Sequence, residues 1–375
     1  MNQFAINTAA RTGQACKGLF NPADYDAVRS FYSNQSQYSP TPLVRLQQLA
    51  RRLKVGEILV KDESRRFGLP AFKLLGVEYA VWRLKESGTM AGNPLLVCAT
   101  DGNHGRAVAH VARKHGCSAR VYVPGYTVPA RIAAIRAEGA EVVVLNSSYD
   151  DAVEEAARFA KSHGAVIVSD TSWPGYDEIP RWIMAGYTEI MNEVQEQCGA
   201  QGLPDVVLVQ VGVGGLAGAV VSWLCDHYGQ ERPFIVSCEP SGAACLLESF
   251  RAGQPVQLKG DLPTIMAGLR CGQVSMIAWP VLSGAVDAFV AIDDRLVESA
   301  MGLLATPNDG DPAIVAGESG ACGLASLLAI LEDKEFAPVR EDIRLDTTSR
   351  VLVINTEGAT DPELHARVVT LAATS

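Results

Sequence analysis

The residue best suited to covalent chemistry is Lys73, which lies in the apolar run PAFKLLG at 70–76. A helical pattern starts at this lysine and runs to about Lys85. Desolvation and a helix N-terminus both disfavour the ammonium form, so the sequence predicts a neutral amine that can form a Schiff base. A lone lysine is more often a surface side chain with its stem on apolar neighbours, and the assignment therefore depends on the residues around it.

A glycine-rich segment, GVGGLAG at 212–218, follows a predicted strand and opens a predicted helix. Backbone N–H groups and the helix dipole converge there and favour an anion. The segment also matches the dinucleotide pattern G-x-G-x-x-A, and Glu239 ends the next strand, where such folds carry an acidic ribose ligand. Glycines that only permit tight packing of the strand on the helix are the structural alternative. No Gly-Lys-Ser/Thr follows, which excludes a nucleoside triphosphate loop.

Other predicted strands end in polar turns, which are TDGNHG at 100–105, DTSW at 170–173 and NTEG at 355–358. Ligands of open α/β sheets bind beyond the carboxyl ends of the strands, so these turns are expected to line one site. Asp101 as a helix cap and Asp170 as a turn initiator are the structural alternatives. The sequence identifies no acid partner for His104, and we interpret this histidine as a turn residue.

These turns belong to an alternation of short apolar runs with longer amphipathic stretches. The predicted strands are 57–60, 95–99, 120–123, 141–145, 165–169, 206–211, 234–238 and 350–354. The predicted helices include 106–115, 129–138, 152–162 and 178–197. Continuously apolar strands indicate parallel sheets buried on both faces. The sequence therefore predicts an α/β fold of two lobes, each a mostly parallel twisted sheet flanked by helices.

The two lobes can be assigned to ranges of the chain. A length of 375 residues exceeds the ordinary domain size, which is roughly 100 to 200 residues. The strand pattern restarts at Val206. We therefore expect a larger, cofactor-binding domain from 1–92 and 191–375, and a smaller α/β domain from 93–190.

The bulk composition argues against several classes of protein. The net charge is −10 and no Lys/Arg cluster stands out, so nucleic acid is not expected as a partner. Apolar runs such as 220–225 are too short to span a membrane, and residues 1–13 lack the apolar segment of a secretory signal, so we expect a cytoplasmic protein. The nine cysteines lack C-x-x-C pairs, which indicates reduced thiols and no metal site. Cys245 and Cys271 are the one candidate pair, with two free thiols favoured.

Taken in chain order, the motifs resemble those of the fold type II pyridoxal-phosphate enzymes, the group with the tryptophan synthase β architecture. They are TPL at 41–43, Lys73, GNHG at 102–105, the glycine loop at 212–216 and NTEG at 355–358. Within that group, KDESRRFGLPAFK at 61–73 and ATDGNHG at 99–105 most resemble diaminopropionate ammonia-lyases. Pro70 stands where that family often has Asn, which leaves fine substrate specificity open.

The resemblance implies pyridoxal 5'-phosphate as cofactor and a role for each motif residue. Lys73 would form the Schiff base and remove the Cα proton of an L-amino acid. Asp101 would remove the Cα proton of the D-isomer from the opposite face, and Asp170 would be a second acid in the pocket. Glu318 would lie near the ring edge. For the cofactor itself, Phe72 would pack on the pyridine ring, Asn103 would bind its hydroxyl oxygen, Thr356 would face its nitrogen, and Gly212, Val213, Gly214, Gly215 and Leu216 would hold the phosphate.

The activity implied is a carbon–nitrogen lyase reaction of amino-acid degradation. A small amino acid, 2,3-diaminopropionate as the L- or D-isomer, would give pyruvate and ammonia, and the enzyme would act as a homodimer, the commonest assembly. A serine/threonine dehydratase or a β-replacement enzyme on the same fold is the nearest alternative, against which Asp101 argues because dehydratases usually carry a smaller residue there. A nucleotide-binding oxidoreductase is the alternative from another class, and it leaves Lys73 unexplained. A requirement for a monovalent cation is left open.

Overall fold

The computed structural model describes residues 3–12, 16–307 and 310–373. Its strands are β1 (Gln3–Ile6), β2 (Leu43–Arg45), β3 (Glu57–Asp62), β4 (Leu96–Ala99), β5 (Ala119–Pro124), β6 (Glu141–Leu145), β7 (Val166–Ile167), β8 (Val206–Gln210), β9 (Phe234–Pro240), β10 (Ala288–Ile292) and β11 (Arg350–Asn355). Its α-helices are α1 (Pro22–Ser33), α2 (Gln47–Leu53), α3 (Lys73–Glu86), α4 (Asn103–Lys114), α5 (Pro129–Ala137), α6 (Tyr149–His163), α7 (Glu178–Tyr187), α8 (Glu189–Cys198), α9 (Gly215–Tyr228), α10 (Cys245–Ala252), α11 (Trp279–Ala285), α12 (Asp294–Ala305), α13 (Cys322–Glu332), α14 (Ala337–Asp342) and α15 (Pro362–Ala373).

The strands form two sheets. The larger has the order β1-β10-β9-β8-β11-β3-β2, in which the five inner strands run parallel and the edge strands β1 and β2 pair antiparallel. The smaller has four parallel strands in the order β6-β5-β4-β7. The predicted α/β architecture with two mostly parallel sheets is confirmed.

The central parts of the inner strands are mostly apolar because helices cover both faces of the larger sheet. In β8, Val207 and Val209 pack into a core shared with α9, whereas Val206 and Leu208 pack into a core shared with α13. A strand buried on both faces has no polar side to alternate with, so its sequence is one continuous apolar run. The same reasoning explains why such strands could be predicted.

All eight predicted strands are present, although β7 covers only two residues of the predicted 165–169. The strands β1, β2 and β10 were not among those predicted. The predicted helix at 178–197 is wrong in one respect, because it is divided at Thr188 into α7 and α8. The helices α4 and α6 each begin three residues earlier than predicted, at Asn103 and Tyr149.

The smaller sheet lies within residues 96–167, inside the range predicted for the smaller domain. The predicted boundary at 190 falls inside α8, and α7 packs against α3 and α9, which follow strands of the larger sheet. The domain limits at 92 and 190 stay a prediction.

One feature of the cysteines differs from the prediction. Cys16 and Cys225 form a disulfide that ties the N-terminal segment to α9, so the expectation of uniformly reduced thiols is wrong. The two residues are 209 positions apart and the fold brings their Cα atoms to 5.4 Å, a proximity that spacing cannot reveal. The other seven cysteines, including Cys245 and Cys271, are free thiols. Within the described residues, no helix has the length and apolar character to cross a membrane.

Candidate active site

A cleft with an empty volume of about 710 Å³ opens where the carboxyl ends of strands from both sheets meet. The turns after β4, β7, β8 and β11 and the start of α3 line the cleft. Every residue predicted to act in catalysis or to bind the cofactor belongs to this lining, whereas Glu318, predicted near the ring edge, lines a neighbouring cavity. The lining consists of Phe72, Lys73, Ala99, Thr100, Asp101, Asn103, His104, Tyr149, Asp170, Gln210, Gly212, Val213, Gly214, Gly215, Leu216, Gly268, Leu269, Cys271, Ser319, Thr356 and Glu357.

Lys73 is the first residue of α3 and its ammonium group contacts Asp170, with 2.5 Å between Nζ and Oδ2. Burial alone would favour the neutral amine, but the Asp170 carboxylate outweighs it and raises the pKa of Lys73 well above its ordinary value. The expectation of a neutral lysine is therefore wrong for the protein without cofactor. The sequence could not reveal this, because the partner lies 97 residues away.

Asp170 is nearly fully buried and has three polar neighbours. Besides Lys73, these are the Tyr149 hydroxyl at 3.3 Å from Oδ1 and the His104 Nδ1 at 3.7 Å from Oδ2. Although burial opposes ionisation, the charged Lys73 ammonium holds the pKa of Asp170 well below its usual range. Asp170 therefore presents a permanent negative charge to the cleft.

His104 is not a turn residue, and that interpretation is wrong. It lies in the first turn of α4, buried, and its Nε2 donates to the Val168 carbonyl at 2.8 Å. Because a carbonyl only accepts, the proton sits on Nε2, and the unprotonated Nδ1 faces Asp170. Burial lowers the pKa of His104, which favours this neutral form.

The glycine loop connects β8 to α9 as predicted, and two of its glycines are required by the geometry. Gly214 has φ of +93° at the cap position of α9. A Cβ on Gly212 would lie 3.0 Å from the Gly268 carbonyl oxygen and 3.2 Å from Cys271 Sγ. The first N–H groups of a helix have no partner inside it, so the start of α9 presents free donors to the cleft. The loop therefore combines close packing at its glycines with free N–H donors of the kind that bind an anion.

The polar groups opposite Lys73 form one connected network. The Asn103 amide donates to Glu357 Oε2, and the Thr356 hydroxyl oxygen accepts from Gln210 Nε2 at 3.2 Å. The same Gln210 nitrogen also donates to the carbonyl oxygens of Ile354 and Ser319, which fixes the orientation of the amide. The Thr356 hydroxyl proton is therefore free to point elsewhere.

Asp101 lies in the turn between β4 and α4, where the helix-cap position is occupied by Gly102 and not by the aspartate. Burial raises the pKa of Asp101 to about 6, while Arg131 and Lys73 act in the opposite direction. A carboxylate with this pKa is mostly ionised at neutral pH and can still accept a proton readily, which suits a general base.

Several residues of the site were not predicted. Glu357 and Gln210 sit at or beside strand ends that the sequence did indicate, whereas Tyr149 comes from the start of α6, where no pattern pointed to the cleft. Glu318 was expected near the cofactor ring, and it forms a buried ion pair with Arg131. Glu239 accepts hydrogen bonds from the amides of Leu246 and Leu247 and is fully buried, so it cannot serve as a ribose ligand.

The cleft places a lysine, a helix N-terminus and two aspartates in one cavity, and comparison with known proteins shows which enzymes share this arrangement. The model of the pyridoxal-phosphate dependent enzyme family matches residues 35–357. This chain is a pyridoxal-phosphate dependent enzyme. Its cofactor is pyridoxal phosphate, and the nucleotide-binding oxidoreductase alternative is wrong.

Among pyridoxal-phosphate enzymes, the chain is similar to the diaminopropionate ammonia-lyase of Escherichia coli (strain K12), with 38% identity over 94% of this chain and 92% of that protein. The crystal structure of the E. coli enzyme in complex with an aminoacrylate-PLP azomethine reaction intermediate superposes with a TM-score of 0.91 at 37% identity, covering 98% of this chain and 97% of that one. The complex of the same enzyme with D-serine gives a TM-score of 0.92 at 35% identity, covering 100% of this chain and 99% of that one.

The residues of the cleft fit pyridoxal phosphate. Lys73 and the loop at 212–216 line the same cavity, so an aldehyde at the lysine and a phosphate at the helix N-terminus can belong to one ligand. A Cβ on Gly212 would meet Gly268 and Cys271 of the cleft lining, so the glycine leaves this part of the loop backbone uncovered, and a phosphate needs such access to N–H donors.

Proposed function

We propose that this enzyme converts 2,3-diaminopropionate to pyruvate and ammonia, and that it acts on both the L- and the D-isomer. The observation that carries the proposal is the pair of acids, Asp101 and Asp170, in the cavity that holds Lys73. A substrate with a second ammonium group gives both carboxylates a partner, whereas the hydroxyl of serine does not. The proposal is supported by the likeness to relatives named for this activity.

We propose the following roles in holding the cofactor. Lys73 forms the covalent link, Asn103 binds the ring hydroxyl oxygen, Gly212, Val213, Gly214, Gly215 and Leu216 bind the phosphate, and Phe72 packs on the ring. Phe72 is itself braced edge-on by Tyr187, with ring centroids 4.7 Å apart. When bound, the cofactor withdraws electrons from the Cα of the amino acid joined to it, which makes the Cα proton removable.

Thr356 is proposed to donate to the ring nitrogen. Its oxygen already accepts from Gln210, so its own proton is the group left to point into the cleft. A hydroxyl donor leaves the nitrogen unprotonated, which limits electron withdrawal and favours prompt loss of the β-substituent over a long-lived carbanion.

Two residues are proposed as bases. Lys73, once displaced from the cofactor by the substrate, removes the Cα proton of the L-isomer, and Asp101 removes it from the D-isomer on the opposite face. In both cases the β-ammonium leaves as ammonia, so it must stay protonated. Asp170, which is ionised at any pH near neutrality, is proposed to hold that ammonium group.

The stoichiometry of the reaction tests this proposal. Holoenzyme incubated with 2,3-diaminopropionate should release two ammonia molecules per pyruvate, one from each nitrogen, because the enamine product hydrolyses in water. Serine would release one ammonia molecule per pyruvate. A visible absorption band that borohydride abolishes should report the covalent link to Lys73. A holoenzyme that forms pyruvate from serine or threonine but not from diaminopropionate would be a dehydratase.

A homodimer in the cytoplasm is also proposed. Seven free and mostly buried thiols support a reducing compartment, although Cys16 and Cys225 are joined. Symmetric dimers are the commonest assembly of soluble enzymes. Light scattering of the purified holoenzyme measures the assembly directly, and a monomer mass would contradict it.

A further inference from the structure

Arg131 is a buried cation that packs against the turn containing Asp101. It lies in the first turn of α5, in the part of the chain that builds the smaller sheet, and is only 6% exposed. A Cβ on Gly102 would lie 2.8 Å from Arg131 Cδ, so the stem of the arginine rests on the backbone next to Asp101. The glycine at 102 is what allows this approach.

The guanidinium end of Arg131 reaches groups that belong to the other side of the cleft. It forms an ion pair with Glu318, which lies before α13, and Nη2 is 3.2 Å from the hydroxyl of Thr360, which follows β11. The Thr360 hydroxyl lies 3.3 Å from Glu357 Oε2, the oxygen that accepts from Asn103. Arg131 therefore links the Asp101 turn to the larger sheet.

The charges around Arg131 do not cancel. Arg131, Asp101 and Glu318 line one cavity at the cleft mouth, and Glu357 is connected to Arg131 through Thr360. Glu318, Glu357 and Asp101 thus all act on the Arg131 guanidinium. Burial and the neighbouring Glu357 raise the pKa of Glu318 to about 7, and its Oε2 accepts no hydrogen bond from any described residue. Near neutral pH, Glu318 therefore neutralises the arginine only in part.

We propose that Arg131 is a positioning residue that holds the Asp101 turn in place across the cleft and keeps the Asp101 carboxylate ionised. The proposal rests on the proposed function, in which Asp101 is the base for the D-isomer. Lys73 also lowers the pKa of Asp101, but its ammonium group already pairs with Asp170 and is joined to the cofactor once that is bound. Arg131 is then the cation that remains to act on Asp101 in the holoenzyme.

The titration of Asp101 depends on every group that faces it. These are Lys73 from α3, His104 from α4, Arg131 from α5, Tyr149 from α6, Tyr126 after β5, Asp170 after β7, Glu357 after β11, Glu318 before α13, and Arg270 and Cys271 from the segment before α11. Burial and the acids favour the protonated carboxyl, and Arg131 opposes them. Removing the arginine should therefore raise the pKa of Asp101.

The test is a carbon NMR titration of holoenzyme labelled at aspartate side-chain carboxyls, with Asp101 assigned by the resonance missing in Asp101→Asn. Arg131→Met should raise the titration midpoint of Asp101 by about one pH unit or more, as expected for loss of a cation at short range. Arg131→Lys, which keeps the charge, should recover more than half of that shift. Arg136→Met removes an exposed arginine from the same helix and should leave the midpoint unchanged.

Kinetics give a second measurement. In Arg131→Met, the acidic limb of the pH profile of kcat/KM for the D-isomer should move to higher pH by the same amount as the NMR midpoint. The acidic limb for the L-isomer should move by less than half as much. Glu318→Gln removes an acid and not the cation, so it should leave the Asp101 midpoint in place or lower it. A purely structural arginine predicts equal losses for both isomers without any shift.

The inference is overturned if the titration midpoint of Asp101 changes by less than about 0.3 pH units in a folded Arg131→Met protein. A higher Asp101 midpoint in Glu318→Gln overturns it as well. If Arg131→Met does not fold, Arg131→Gln, which also removes the charge but keeps a polar side chain, takes its place, and the same rise of about one pH unit is required. The NMR titration requires no turnover, so it remains decisive even if wild-type enzyme fails to degrade diaminopropionate. That failure would count against the proposed function alone.

Discussion

Asp170→Asn removes the carboxylate that contacts Lys73 while keeping the size and shape of the side chain. In the proposed site, this carboxylate holds the β-ammonium of the substrate inside a buried cavity. Truncating one partner of a buried charge pair costs roughly 2 to 5 kcal/mol. A loss of about 3 kcal/mol corresponds to roughly a 150-fold fall in kcat/KM for diaminopropionate.

Serine should respond less to the same substitution. Its hydroxyl loses a hydrogen bond to a charged group, which is worth about 1.5 kcal/mol, and kcat/KM should fall roughly tenfold. The preference for diaminopropionate over serine should therefore shrink by about a factor of ten. Asp150→Asn is the matched control, since Asp150 does not line the cavity with Lys73 but a neighbouring one, and it should leave the preference intact.

The same variant changes how Lys73 titrates. In the protein without cofactor, Asp170 raises the pKa of Lys73, so the reactive neutral amine becomes more abundant only as the pH rises. Without the carboxylate, burial is opposed only by Tyr187 and Asp101, and the pKa of Lys73 falls. Cofactor binding to apo Asp170→Asn should then depend less on pH near neutrality than in wild type, as followed by the absorbance of the covalent link. Equal falls in kcat/KM for both substrates, together with an unchanged pH dependence of cofactor binding, would refute this reasoning.

Three further substitutions test the remaining roles. Lys73→Ala should give a folded protein without covalent cofactor, and a borohydride-trappable adduct in that variant would refute the lysine assignment. Gly214→Val should cut cofactor affinity sharply, and if this variant binds cofactor as tightly as wild type does, the phosphate lies elsewhere. The control is Gly139→Val: Gly139 has the same φ of +93° but lies in open space, so this variant measures what the backbone strain alone costs in stability. Asp101→Asn should abolish turnover of D-diaminopropionate while damaging that of the L-isomer less, and equal losses for the two isomers would leave Asp101 as a binding residue.

Much of the fold could be predicted because its strands are buried on both faces. The strands β8 and β11 are continuously apolar except for polar residues at their ends, and the predicted lengths are close to those observed. The edge strands β1 and β2 have only four and three residues, all half-buried, so no periodic pattern marks them. The break between α7 and α8 at Thr188 follows Gly186 by two residues, but a single glycine within a helical pattern does not by itself predict a break, and the continuous amphipathic pattern hid it.

For the site, the residues could be predicted better than their ionisation states. The turns after parallel strands converge at one edge of a sheet, so their polar residues were expected together and do line one cleft. Charge states depend on contacts that are distant in sequence. Lys73 meets Asp170 across 97 positions, and Arg131 meets Glu318 across 187, so neither the charged lysine nor the buried arginine could be inferred from local pattern.

The central claim is that two acids in the cleft select a substrate with a second ammonium group, and the ratio of kcat/KM for 2,3-diaminopropionate to that for serine tests it most directly. Wild-type holoenzyme should favour diaminopropionate by about a hundredfold or more, since the buried Asp170 carboxylate gains an ion pair only with that substrate. A holoenzyme that turns over serine as fast as diaminopropionate, or faster, would contradict the account.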